Sequence, residues 1–264
     1  MQRMTNIFNQ RKGFLWKSPF LLGIVWMTML IIFWVQPLNA QRDDLERFLP
    51  PLHPHPLPLT LVEWRDSKDS GDYFDQISLS PAGYLIWSKF PIKFYLDRPT
   101  NLNDLAVAST RRFRQWVDAV MEAISEWQDF LPLLEVKDPQ LADIVIERTE
   151  PPLDASFDSE TRQLKIPRAR SAQTSYNFYL TQDSPPILRH RMTIKISPSL
   201  SQSSILSASR HELGHGLGIW GHSDQKTDAL YFSQVRSLSP ISVRDVNTLK
   251  KIYQQPTRLG WKLP

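Results

Sequence analysis

The chain predicts an α+β fold: a mixed, twisted sheet with two long helices, a helix bearing a histidine cluster, and a closing C-terminal helix. Three observations carry that expectation. Apolar residues recur at three- and four-residue steps from Phe113 to Leu131, the period of an amphipathic helix. Short stretches such as Arg191-Met192-Thr193-Ile194-Lys195-Ile196 alternate apolar and polar residues, as a half-buried strand does. The 264 residues include no cysteine, so a hydrophobic core must do the work that disulfides do elsewhere. A domain of about 200 residues is large enough to supply one.

The first forty residues form a leader. They hold Arg3, Arg11, Lys12 and Lys17, no acid, and an apolar run over 20–35 that ends at Gln36-Pro37-Leu38-Asn39-Ala40. That order predicts either a signal peptide cleaved after Ala40 or a retained N-terminal membrane anchor. Both send the remainder across a membrane, to a secreted, periplasmic or membrane-tethered location. The formal charge of +4 belongs to this leader, since the other 27 cations match 27 acids. A basic footprint for nucleic acid is therefore not supported. Arg111, Arg112 and Arg114 read as the solvated face of a helix.

Residues 41–83 read as a Pro-rich spacer and an N-terminal extension. Prolines at 50, 51, 54, 56 and 58 favour an extended polyproline-type spacer, and His53 and His55 go with it rather than with a metal. Residues 61–83 show no period and suit a loop, an extension or a short prosegment, with Ser70-Gly71-Asp72 a polar turn. The main domain is expected over 84–264. Residues 84–87 and 92–96 read as strands, followed by a helix from about 103 to 130 with Asn103 as N-cap and Pro132 as its stop. Residues 133–136 and 142–147 read as two further strands. Residues 151–190 look loop-rich, with one short strand at 164–166. The strand at 191–196 ends at Ser197-Pro198.

A helix should then begin near Ser203 or Ser204 and turn Ile205, Leu206, Leu213 and Leu217 inward. The last helix starts at Ser239-Pro240 or at Ser242, where Ser242 and Asp245 have the spacing of a capping box, and Pro256 stops it.

The chemistry lies in His211-Glu212-Leu213-Gly214-His215-Gly216-Leu217-Gly218-Ile219-Trp220-Gly221-His222. Histidines four apart on a helix project from one face, about 5–6 Å apart at Cβ, and can share a Zn²⁺ ion at about 2.0–2.1 Å. Gly218 breaks the helix, and the following turn can return His222 as a third ligand. Glu212 is placed to take a proton from a metal-activated water. Three of the chain's six histidines fall in these twelve residues.

This stretch resembles the metzincin clan of zinc peptidases, and its matrixin branch most, whose pattern is His-Glu-x-x-His-x-x-Gly-x-x-His. His211, Glu212, His215 and Gly218 match it. The third ligand departs, because Gly221 stands at its place and His222 comes one residue later. The resemblance carries that role to His222, with Asp224 a lesser candidate. It also implies a methionine beneath the metal, and no methionine follows His222. Asp228-Ala229-Leu230-Tyr231-Phe232 resembles the turn in question with Leu230 in the methionine place, a nearly volume-conserving exchange. The tyrosine ligand of other branches would fall on Phe232, which cannot ligate. A propeptide cysteine on the zinc is ruled out by composition; Asp72 is the one substitute.

The resemblance implies a zinc endopeptidase with Glu212 as general base, cutting protein or peptide substrates laid along the sheet's edge strand. Thr193, Ile194 and Lys195 are the best candidates for that strand. Two other readings stay open. One is a non-catalytic zinc-binding relative acting as a membrane-tethered binding or assembly protein. The other is a membrane-anchored structural protein with an incidental histidine cluster.

Overall fold

A computed structural model describes residues 48–99, 108–153, 156–158, 160–165, 170–233 and 239–264. The expected leader and the expected N-cap Asn103 lie outside these residues. Among the described residues no helix is long and apolar enough to cross a membrane.

The fold is a mixed α/β arrangement compatible with the α+β expectation. In chain order it comprises α1 (Leu59–Glu63), β1 (Ile92–Leu96), α2 (Ala108–Gln128), β2 (Leu133–Glu135), β3 (Ile144–Glu147), β4 (Ser156–Asp158), β5 (Gln163–Lys165), β6 (Ala172–Leu180), β7 (Leu188–Ile196), α3 (Gln202–Gly216) and α4 (Val243–Tyr253). Five strands make one sheet in the order β2-β1-β3-β7-β6, and β4 and β5 form a separate hairpin pair. The first four strands of that order are parallel, and β6 alone runs antiparallel, against β7.

Period-two alternation gives the sheet one buried face. Phe94 sits beside Ile144, Ile144 beside Met192 and Ile146 beside Ile194, all at most 4 % exposed. Helices cover this face. α2 turns Trp116, Val117, Val120, Ile124 and Trp127 inward, α3 packs on β6 and β7, and α2 and α3 pack together. The Trp127 indole N–H donates to the Arg210 carbonyl at 2.9 Å. The Arg210 guanidinium forks onto Glu126 of α2.

The structure corrects four expectations. Residues 84–87 are no strand; Leu85, Ile86 and Trp87 are buried, but their backbone crosses the end of α3 instead of joining a ladder. Residues 172–180, expected as loop, form the nine-residue β6. The strand at 191–196 extends back to Leu188 and lies between β3 and β6, so Thr193, Ile194 and Lys195 sit inside the sheet. Their backbone groups are already used by two neighbours and cannot receive a third chain. The edge strand on this side is β6.

Fourth, the compact unit begins at Leu49, not at residue 84. Leu61 is fully buried in the core. The Pro-rich run is no spacer: His53 exchanges backbone hydrogen bonds with Thr257, the Arg258 side chain donates to the Pro50 carbonyl, and His55 stacks on Trp261 at 4.3 Å. Polyproline-type backbone has no internal hydrogen bonds, so its free groups pair readily with the C-terminal tail.

Candidate metal centre

The histidine helix starts one or two residues earlier than expected, at Gln202, with Ser201 as N-cap, its hydroxyl accepting from the Ser204 amide. Its far end is fully accounted for. A helix leaves its last carbonyls without partners. Here Leu213 O accepts from Leu217 N, Gly214 O from Ile219 N and His215 O from Gly218 N. Gly216 O accepts from the Trp87 indole at 2.9 Å, and Leu217 O from the Tyr253 hydroxyl at 3.0 Å. Gly218 has φ +120°, and a Cβ there would lie 2.4 Å from Leu85 O. Conformation and space both demand glycine where the chain leaves the helix.

The turn brings three imidazoles together. His211 and His222 rings lie 5.2 Å apart and His215 and His222 rings 4.9 Å apart, with one nitrogen of each histidine within 4.8 Å of the others. An ion held tetrahedrally at about 2.0–2.1 Å would space its ligand nitrogens about 3.3–3.4 Å apart. His211 Nε2 and His215 Nε2 are 3.1 Å apart, close to that spacing.

The tautomers make the case for a cation sharper. His211 Nδ1 is 2.9 Å from Ala229 O, and His215 Nδ1 is 2.7 Å from Ile219 O. A carbonyl only accepts, so both Nδ1 atoms carry the proton and both Nε2 atoms present lone pairs to each other. Burial pushes each of these two histidines down to about 4, so both rings are neutral near pH 7 and no proton bridges them. Two lone pairs at this distance repel unless a cation lies between them. Backbone carbonyls on Nδ1 are also the partners that orient metal-binding histidines. Burial lowers His222 as well, although its side chain is exposed. Asp224, the lesser candidate, faces solvent at 84 % exposure, 3.7 Å from the Arg244 guanidinium, and is not among the clustered ligands.

Glu212 is 8 % exposed beside this cluster. Burial raises its carboxyl above the ordinary value, opposed by the His211 ring and by hydrogen bonds from Thr174. The Thr174 hydroxyl, on edge strand β6, lies 2.7 Å from Glu212 Oε2. Thr174 had no signal in the sequence, because nothing there shows which strand passes the helix.

The floor of the site is built by Leu230, fully buried, whose Cδ2 would come within 2.5 Å of a Cβ on Gly214. Gly214 thus makes room for Leu230, while Gly216 makes room for Ile194 of the sheet. Asp245 fixes this floor. Its carboxylate accepts from Ala229 N at 2.9 Å, from Ser242 N at 2.8 Å in the expected capping box, and from the Tyr73 hydroxyl at 2.6 Å. Residues 73–78 also hold the turn that carries His222: Ser78 N donates to Trp220 O at 2.9 Å, and Ile77 bridges Gly221. Asp72, the possible latency residue, instead pairs with Lys251 of α4 at 2.7 Å. His190 packs against Trp87 at 3.8 Å on the sheet's buried face, apart from the cluster.

No family profile and no curated protein matches the sequence.

Proposed function

We propose that the chain is a zinc-dependent endopeptidase of matrixin-like type, acting on extended segments of protein or peptide. One observation carries the reading: His211 Nε2 and His215 Nε2 face each other 3.1 Å apart, with His222 beside them and a buried carboxylate, Glu212, following His211 in the chain. The order of elements, with a long helix after β1 and a capped helix after the Leu230 turn, supports the same family.

His211, His215 and His222 would hold the ion. A zinc ion held there would supply Lewis acidity, to polarise a carbonyl and to make a water acidic near neutral pH. Glu212 supplies the proton relay. Its buried carboxylate, next to His211, would accept one proton from water and return it to the leaving amine. Thr174 keeps one carboxylate oxygen in place during that exchange. Leu230 and Trp87 close the helix side against bulk water. Outer-edge backbone groups of β6, unpaired among the described residues, would receive the substrate as an added strand. The leader is proposed to carry this domain across a membrane.

The test is cleavage of a peptide library by the purified chain, with zinc content measured in parallel. Glu212→Ala and a zinc chelator should each abolish cleavage, and Glu212→Ala should retain one zinc. A folded chain that holds zinc and cuts nothing would refute the peptidase reading in favour of a binding relative. A folded chain without zinc affinity would refute both.

A further inference from the structure

We propose that Trp220, Tyr176 and Phe178 form an aromatic wall that selects a large apolar or aromatic side chain of the bound peptide, upstream of the bond to be cut. This rests on the peptidase reading and adds a substrate class to it.

The edge strand is built to be paired. Exposed sheet edges are normally blunted by lysine, other charges, proline or a bulge. β6 reads Ala-Gln-Thr-Ser-Tyr-Asn-Phe-Tyr-Leu, nine residues with no charge and no proline. Nothing pairs with its outer edge among the described residues. It also runs directly to the chemistry, since Thr174 near its start bonds Glu212.

The wall lies on one side of that edge. Thr174, Tyr176 and Phe178 register with Ile194, Met192 and His190, so all three point to the helix-covered face. Trp220, from the lengthened ligand turn, meets Tyr176 edge-on with centroids 5.0 Å apart and lies 5.7 Å from the His215 ring. Tyr176 and Phe178 follow at 5.1 Å. All three aromatics are half-buried, so part of each ring remains open.

An added antiparallel strand alternates its side chains between the two faces. The residue facing Tyr176 would stand two positions, about 7 Å, before the residue facing Thr174. Because the strands run oppositely, it lies on the amino-terminal side of the cut. Uncharged rings fit an apolar or aromatic side chain there, and a charged one would lose water without gaining a partner.

The experiment uses the full chain carrying Glu212→Ala, loaded with zinc, and decapeptides in which a single Phe moves along a Ser/Ala background. Calorimetry should find one register that binds roughly tenfold tighter than the all-Ser/Ala peptide. Trp220→Ala should reduce that preference to under twofold with one zinc retained. Tyr176→Leu, which keeps an apolar side chain on the strand, should reduce it as well and serves if Trp220→Ala does not fold. A Phe preference that survives the variants, the absence of any preferred register, or no binding would overturn the wall. Failure of the peptidase reading shows separately, as a wild-type chain that cuts none of the peptides its Glu212→Ala form binds.

Discussion

Alanine at Gly221 probes whether residues 73–78 hold His222 in place. A Cβ there would lie 2.2 Å from Gln76 O, 3.0 Å from Gln76 C and 3.1 Å from Ile77 Cα. All three are backbone atoms, and the first belongs to a short 3₁₀ turn closed by Gln76 N to Tyr73 O at 3.0 Å. No side-chain rotation relieves the contact, so the two segments must part by about an ångström. That movement strains the Ser78–Trp220 hydrogen bond and displaces His222, the next residue. Overpacking of this kind costs about 1–3 kcal/mol. Misplacing a group that orients a ligand weakens metal binding by about 10–100-fold.

Gly216→Ala is the control. Its Cβ would meet only the Ile194 Cδ1 methyl closely, at 3.1 Å, and alanine recovers up to about 1 kcal/mol of helix propensity. Its net effect should fall within about 1 kcal/mol of zero. Urea unfolding of the zinc-free proteins gives the stabilities, and competition with a chromophoric chelator gives the affinities. Should Gly221→Ala match Gly216→Ala in both measurements, the clamp is not what positions His222.

Three further outcomes are expected. Tyr73→Phe withdraws a donor from the fully buried Asp245 and should cost about 1–3 kcal/mol in urea unfolding; an unchanged midpoint would remove Tyr73 from the support of the Leu230 turn. Glu126→Gln leaves the Arg210 guanidinium, 9 % exposed, without its anion; since Glu126 itself is 33 % exposed, the loss should be about 1–3 kcal/mol, and none would show that the pair is solvent-compensated. Burial pushes His190 down to about 3 from 6.5, so between those values the unfolded chain binds a proton that the folded chain refuses. Stability of the zinc-free chain should therefore fall as pH drops from 6.5 towards 3. His190→Phe should make that fall shallower, and identical pH profiles by urea midpoint would contradict the assignment.

Local patterns revealed much of this molecule and long-range neighbours little of it. The helical stripe through Trp116, Val120 and Trp127, the capping box at Ser242 and Asp245, and the alternation at Met192, Ile194 and Ile196 are written within a few residues. So is the His211–His215–Gly218 spacing, which rests on helix geometry and a positive φ. The alternation of β7 says which side chains are buried but not which strands flank it, so an interior strand was indistinguishable from an edge. β6 escaped because Gln173, Ser175 and Asn177 on its open face resemble loop composition. Thr174 and Trp220 acquire meaning only when strand and turn are brought to the helix.

One departure from the matrixin pattern, the residue inserted before His222, is accommodated by one piece of packing. An extra residue between Gly218 and His222 would leave a loose loop if it had only the helix to lean on. Ser78 and Ile77 grip the backbone of that loop at Trp220 and Gly221, and the space beside Gln76 O admits no side chain at 221. Glycine at 221, where the matrixin pattern has a histidine, is therefore a requirement of the clamp, and the proposed ligand role falls on His222. The same segment reaches the other side of the site through Tyr73 and Asp245, which hold the backbone of Ala229 above Leu230. A polar stretch that reads as a removable extension thus braces both loops around the histidines, and its buried Tyr73 and Leu61 tie that brace into the core.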